Sequence, residues 1–111
     1  MKLVVLERFD GPAFGVFPVF PKGTALEVVG KDDECPHWFP CIINGMGFWT
    51  PDIYMEDGVL NRDYNPTSLL VEQGQAVTLI DLVFEWLLVK DESGKEGWLP
   101  ARVVTSVVQK P

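Results

Sequence analysis

Two short stretches of the chain share the pattern Trp, any residue, Pro, and this repeat constrains the fold more than any other sequence feature. GFWTPDIYM contains Trp49 and Pro51, and EGWLPARVV contains Trp98 and Pro100. In each stretch a Trp ends an apolar run, and the Pro that follows lacks the N–H donor that would continue a sheet. The pattern therefore predicts two copies of one strand-ending module.

The features before each Trp-x-Pro stretch follow one order in both halves: a turn glycine, an alternating apolar strand, and a strand that opens with Trp. The matching features are Gly23 and Gly74, Leu26/Val28 and Val77/Leu79, and the runs WFPC from Trp38 and WLLV from Trp86. In this overlay Cys41 matches Val89, a core-facing position, so we expect a buried thiol at Cys41 and a reactive one at Cys35. The order predicts a repeat of about 50 residues, with domains at residues 1–56 and 58–109.

The punctuation of the chain indicates an all-β fold. Nine Pro and ten Gly separate runs of Val, Ile, Leu and aromatic residues, at the spacing of about 8–12 residues that is typical of all-β domains. Alternation of apolar and polar residues in TALEVVG and QAVTLID is typical of half-buried strands. We expect at most short one-turn helices, after Pro51 and Pro100.

The second half carries a family resemblance. Its order of RDYNP with Asp63 and Tyr64, a turn glycine, the strand residue Trp86, the hairpin DESGKEGW and then WLPARVV resembles a Src homology 3 (SH3) domain. In that family an Ala-Leu-Tyr-Asp-Tyr-like strand begins the barrel and a Gly-Trp-x-Pro-x-x-Tyr-like segment ends it. The resemblance covers nearly all of residues 58–108, and a weaker version covers residues 2–56. It implies two small, partly open five-stranded SH3-like barrels in tandem, an arrangement that bacterial relatives use.

The resemblance also implies a groove for extended peptides, lined by first-strand aromatics, the strand Trp, and the Pro and Tyr of the last segment. In the first repeat the matching residues, and hence the predicted peptide-binding site, are Phe9, Trp38, Pro51 and Tyr54. A polyproline II ligand arrives already extended, so flat aromatic rings with a Pro between them suffice to hold it. The implied function is a non-catalytic adaptor that binds a protein or peptide.

The groove of the second repeat is the weaker match. Tyr64, Trp86 and Pro100 fit the family pattern, but Arg62 stands where an aromatic residue is expected and Val103 replaces the last Tyr. Two of its walls are therefore missing, which favours the first repeat as the ligand surface.

Two other functions remain open beside the adaptor. Bacterial relatives of the fold also serve as cell-wall-targeting modules of exported hydrolases. In a structural or assembly protein, the aromatic surfaces would instead be used between modules or subunits, as in a homo-oligomer. The loop of residues 11–21, with Phe14, Phe17 and Phe20 spaced by three, fits either a cover for a barrel end or an exposed patch for a partner.

Charge and motif content disfavour several classes of function. The net charge is −7 without a basic stripe, which disfavours nucleic acid and anionic membranes as partners. One His and two Cys are too few for a zinc site, and no cofactor is expected. Because the chain has no phosphate loop, dinucleotide fingerprint or Gly-x-Ser-x-Gly elbow, we expect no enzyme. The four apolar residues after Lys2 are too few for a signal peptide or membrane span, so we expect a cytoplasmic protein.

Overall fold

The computed structural model describes residues 1–31 and 33–107. These residues form short strands and three 3₁₀ turns, and no α-helix occurs among them. The strands are β1 (Lys2–Val5), β2 (Phe9–Asp10), β3 (Glu27–Val28), β4 (Trp38–Ile43), β5 (Met46–Pro51), β6 (Met55–Glu56), β7 (Val59–Leu60), β8 (Leu70–Val71), β9 (Ala76–Val83), β10 (Trp86–Asp91), β11 (Glu96–Pro100) and β12 (Val104–Ser106). The prediction of an all-β chain is confirmed.

Each Trp-x-Pro stretch ends a strand and leads into a 3₁₀ turn. The turns Asp52–Tyr54 and Ala101–Val103 begin directly after Pro51 and Pro100, whose φ values are −71° and −67°. Pro fixes φ in this range and offers no N–H to a neighbouring strand, so the ladder stops and the chain turns. The predicted limit to one-turn helices after Pro51 and Pro100 is confirmed, whereas the 3₁₀ turn Gly11–Phe14 was not predicted.

The chain forms two units that differ from the predicted domains 1–56 and 58–109. Of the described residues, unit 1 combines 1–16 with 67–107, and unit 2 is the segment between them, within residues 17–66. Residues 108–109 of the predicted second domain lie outside the described part of the chain. The physical reason for the difference is β1, which pairs with β9 and β12 and so completes a sheet built by the last third of the chain.

Unit 1 is built on a five-stranded antiparallel sheet with the order β11-β10-β9-β1-β12. Alternate residues of β1 point into the core, where Leu3 and Val5 are buried. A separate two-stranded pair joins β2 to β8, with Phe9 opposite Val71. The buried core cluster is Leu3, Val5, Phe9, Leu69, Val71, Val77, Leu87, Val89, Leu99, Val103 and Val104.

Unit 2 contains the three-stranded sheet β3-β4-β5 and the two-stranded pair β6-β7. A two-residue turn at Asn44 and Gly45, both with positive φ, joins β4 to β5, as a type I′ hairpin requires. Isolated bridges join Phe20 to Tyr64 and Ala25 to Val59. In neither unit do the described strands close into a barrel.

Both units repeat one pairing pattern around a single strand, but in different chain order. In unit 1, β1 lies between β9 and β12. In unit 2, β7 pairs with β6 and, through the bridge of Val59 to Ala25, with the segment that leads into β3. β1, the first strand of unit 1, and β7, the last strand of unit 2, thus have equivalent places. The strand order of unit 2 is therefore circularly permuted relative to that of unit 1.

This permutation corrects the assignment of the two first-strand segments. Phe9, predicted to belong with Trp38, lies in unit 1. Tyr64, predicted to belong with Trp86, lies in unit 2 and forms a bridge with Phe20. The two segments are exchanged because strand pairing joins them to the more distant half of the sequence.

Candidate functional site

The predicted site residues are divided between the units. Trp38, Pro51, Tyr54 and Tyr64 lie in unit 2, and Phe9, Trp86 and Pro100 lie in unit 1. The structure therefore regroups the two predicted grooves into two new sets, and each set is described within its own unit.

In unit 2 the predicted rings are buried. Trp38 lies opposite Pro51 in the β4–β5 ladder. The rings of Tyr54 and Tyr64 meet edge to face with their centroids 5.4 Å apart. Trp38 is 8% exposed, Tyr54 is 3% exposed, and Pro51 is fully buried. A ligand cannot reach these rings without displacing the residues that cover them, so in this structure they are part of a core.

Polar contacts also hold Tyr54 and Tyr64 in place. The Tyr64 hydroxyl donates to the Trp49 carbonyl oxygen at 2.6 Å, and burial raises the pKa of Tyr64 well above its ordinary value. The Arg62 guanidinium carbon lies 4.1 Å from the centroid of the Tyr54 ring, within cation–π distance. Arg62, at the position where the family pattern has an aromatic residue, thus packs its guanidinium group over the Tyr54 ring.

Unit 1 presents a different arrangement, which we call the aromatic row: Phe14, Phe9 and Trp86. The Phe14 and Phe9 rings stack with centroids 5.8 Å apart and an interplanar angle of 18°. Phe9 meets Trp86 edge to face at 6.4 Å. Phe14 is 77% exposed, Trp86 is partly exposed, and Phe9 is buried between them. Pro100 lies opposite Trp86 in the β10–β11 ladder and is buried.

Local sequence positions each ring of the row. Phe9 lies in β2, which pairs with β8. Phe14 ends the 3₁₀ turn Gly11–Phe14, whose start is capped by the Asp10 carboxylate accepting from the Ala13 N–H at 3.3 Å. Gly11 is required there, since an added Cβ would lie 2.3 Å from the Ser68 carbonyl carbon.

The turn before Trp86 was missed by sequence reasoning because it contains no Gly or Asn. Phe84 and Glu85 both have positive φ, at 46° and 72°, and together they form the two-residue β9–β10 turn. The Glu85 carbonyl oxygen accepts from the Ala101 N–H at 2.9 Å, which ties the turn to the residue after Pro100. A bulky residue in this region of φ is strained, and such strain is concentrated at functional sites.

Acidic residues adjoin two rings of the row in the chain, and two arginines of unit 1 are held in ion pairs. Asp10 follows Phe9 in the chain, and Glu85 precedes Trp86. Arg8 binds Glu72 at 2.9 Å, and the ion pair of Arg102 with Glu7 is 2.6 Å long. Charge near the row therefore favours ligands without carboxylates.

The described residues contain no group of three or more His, Cys, Asp or Glu side chains that could hold a metal ion. His37 lies 3.0 Å from one carboxylate oxygen of Asp52. Cys41 is buried and Cys35 is exposed, which confirms the predicted environments of the two thiols. Burial raises the pKa of the Cys41 thiol, so its reactive thiolate is disfavoured.

Comparison of the chain with family models, curated proteins and solved structures gives no match. Over the part of the chain that the structure describes, no helix has the length and apolar character needed to cross a membrane.

Proposed function

We propose that this protein is a non-catalytic peptide-binding module made of two SH3-like units, with its ligand surface on the aromatic row of unit 1. The observation that carries the proposal is the exposure of Phe14, which is 77% exposed although its ring stacks on the buried Phe9. The Phe9 ring in turn contacts Trp86. Large aromatic side chains that remain in solvent often provide much of the binding energy of small interfaces.

The architecture of the units supports the SH3-like assignment. In both units a Trp-led strand pairs in a hairpin with a strand that ends in Trp-x-Pro, and a 3₁₀ turn follows. The strand after that 3₁₀ turn pairs with β1 in unit 1 and with β7 in unit 2. These shared pairings favour one ancestral module, used twice with a permuted chain order.

The chemistry of the row defines the class of ligand. The accessible faces of Phe14 and Trp86 suit an extended, proline-rich segment, which is already ordered before it binds. Acidic neighbours and a net charge of −7 disfavour nucleic acid. In unit 2 the rings of Trp38, the equivalent of Trp86, and of Tyr54 are buried, so these rings have a structural role.

The test is binding to an array of proline-rich decapeptides by the wild type and a Phe14→Ala variant. Because Phe14 is exposed, the substitution should leave the melting temperature nearly unchanged while weakening the best peptide by about 1–2 kcal/mol. Ile80→Ala removes another exposed apolar side chain of unit 1 and is the matched control. If no peptide binds, or if both variants weaken binding equally, the proposal is wrong.

A further inference from the structure

The two Trp residues of the Trp-x-Pro repeat occupy equivalent places but differ in exposure. Trp98 lies in β11, the second strand of the β10–β11 hairpin, and is 3% exposed. Trp49 lies in β5, the second strand of the β4–β5 hairpin, and is 44% exposed. The difference therefore comes from what covers each strand.

In unit 1 the chain itself covers the outer edge of β11. The Trp98 N–H donates to the Thr67 carbonyl oxygen at 3.3 Å, and the Leu69 N–H donates to the Trp98 carbonyl oxygen at 3.0 Å. Ser68 forms a parallel bridge with Trp98. An extended three-residue segment has thus been added to this edge as a short parallel strand.

In unit 2 the backbone groups on the equivalent side of β5 point away from its hairpin partner, β4. The Pro40 carbonyl oxygen accepts from the Val29 N–H, on the β3 side, and Pro40 has no N–H. Pro40 and Trp49 are therefore a pair that exchanges no hydrogen bond, so the N–H and C=O groups of Trp49 point away from β4. The N–H and C=O groups of Gly47, two residues earlier in the same strand, point in the same direction.

The outward groups of this edge are only partly used. The Trp49 carbonyl oxygen accepts from the Tyr64 hydroxyl. Over residues 1–31 and 33–107, no backbone hydrogen bond joins Gly47 to a segment outside its own hairpin. An edge strand with unpaired N–H and C=O groups is a template for another strand.

Side chains next to this edge define what could bind there. Cross-strand register places Trp49 beside Pro40, and Ile42 beside Gly47, on one face. Glu27 lies opposite Ile42 and adds a carboxylate to that face. Residues 17–66 contain three basic and eight acidic residues, a net charge of −5. A second copy of the chain would bring the same negative charge, which disfavours self-pairing.

We propose that the edge from Gly47 to Trp49 binds an extended segment of a partner protein by strand addition, and that this segment alternates apolar and basic residues. Its backbone would pair with Gly47 and Trp49 as Thr67–Leu69 pairs with Trp98 in unit 1. Its apolar side chains would cover the Trp49 ring, and its Lys or Arg side chains would meet the acidic surface of unit 2. This edge belongs to unit 2, whereas the aromatic row belongs to unit 1.

The test titrates the full chain with a capped decapeptide of alternating Val and Lys, and with the matching Val–Glu peptide. Amide hydrogen exchange and chemical shifts are followed by NMR. The Lys peptide should slow amide exchange at Gly47 and Trp49 at least tenfold. This protection should decrease at high salt, and the Glu peptide should not bind. Trp49→Thr, which keeps a strand-forming residue, should raise the Kd of the Lys peptide at least tenfold, whereas Ile80→Thr, at an exposed strand residue of unit 1, should leave that Kd unchanged.

Gly47→Pro tests the direction of the edge itself. Pro is tolerated where an edge N–H faces solvent, so this variant should fold and lose binding. A Gly47→Pro protein that does not fold would show that the Gly47 N–H belongs to the β4–β5 ladder and would overturn the proposal. Equal affinity for both peptides, binding without protection at Gly47 and Trp49, or a dimer that Trp49→Thr dissociates would also overturn it.

Discussion

The β9–β10 turn offers a substitution that should make the protein more stable. Its residues Phe84 and Glu85 have φ of 46° and 72°, the conformation that Asn44 and Gly45 adopt in the β4–β5 turn at 51° and 79°. Glycine adopts positive φ without steric penalty, whereas a residue with a Cβ destabilises the folded state by about 1–2 kcal/mol in this conformation. Glu85→Gly removes this penalty at one of the two positions.

The expected gain can be worked out from opposing contributions. Glycine has more backbone entropy to lose on folding, about 0.5–1 kcal/mol, which offsets part of the relieved strain. The Glu85 side chain is exposed, and its hydrogen bond from Ala101 uses the backbone oxygen, so neither packing nor that bond changes. The free energy of unfolding should therefore rise by about 0.5–1 kcal/mol.

Urea denaturation of the wild type and variant measures this change, and Gly45→Ala is the matched control. A Cβ added at Gly45 would meet nothing within 4 Å, so this substitution changes only the backbone conformational preference. It should lower stability by about as much as Glu85→Gly raises it. If Glu85→Gly lowers the free energy of unfolding while Gly45→Ala behaves as expected, the β9–β10 turn is not strained.

Three further predictions concern the fold. In the native protein a thiol reagent should modify Cys35 quickly and Cys41 only on unfolding, since only Cys41 is buried; equal rates would contradict the burial. Gly97→Ala should destabilise unit 1 by about 1–3 kcal/mol in urea denaturation, because its Cβ would lie 2.9 Å from the Leu69 Cβ; an unchanged midpoint would show that the contact relaxes. A fragment of residues 17–66 should give the dispersed NMR spectrum of a folded protein, because its strands pair within it; a collapsed spectrum would show that it depends on unit 1.

Local signals in the sequence predicted local structure well. The Trp-x-Pro repeat located two strand ends and the 3₁₀ turns after Pro51 and Pro100. The overlay of the two halves placed Cys41 in a core. These features depend on a few adjacent residues, such as a Pro without an N–H, so a single sequence carries them.

Long-range pairing could not be predicted in the same way. β1 is a short apolar strand that could complete either half, and the sequence does not show that its partners are residues 76–78 and 104–106. The predicted groove therefore combined Phe9 with Trp38, which lie in different units. The Phe84 turn escaped because its residues are poor turn formers, and its conformation is set by the strands on either side.

We propose that peptides bind to the aromatic row of unit 1 and not to the predicted groove with Trp38. Photo-crosslinking distinguishes the two surfaces, with a proline-rich decapeptide that binds and carries one benzophenone side chain. Mass spectrometry of the digested adduct should locate the crosslink next to Phe14 or Trp86. A crosslink at Trp38, Pro51 or Tyr54 would contradict this proposal, because it would mean that these buried residues open to bind the peptide.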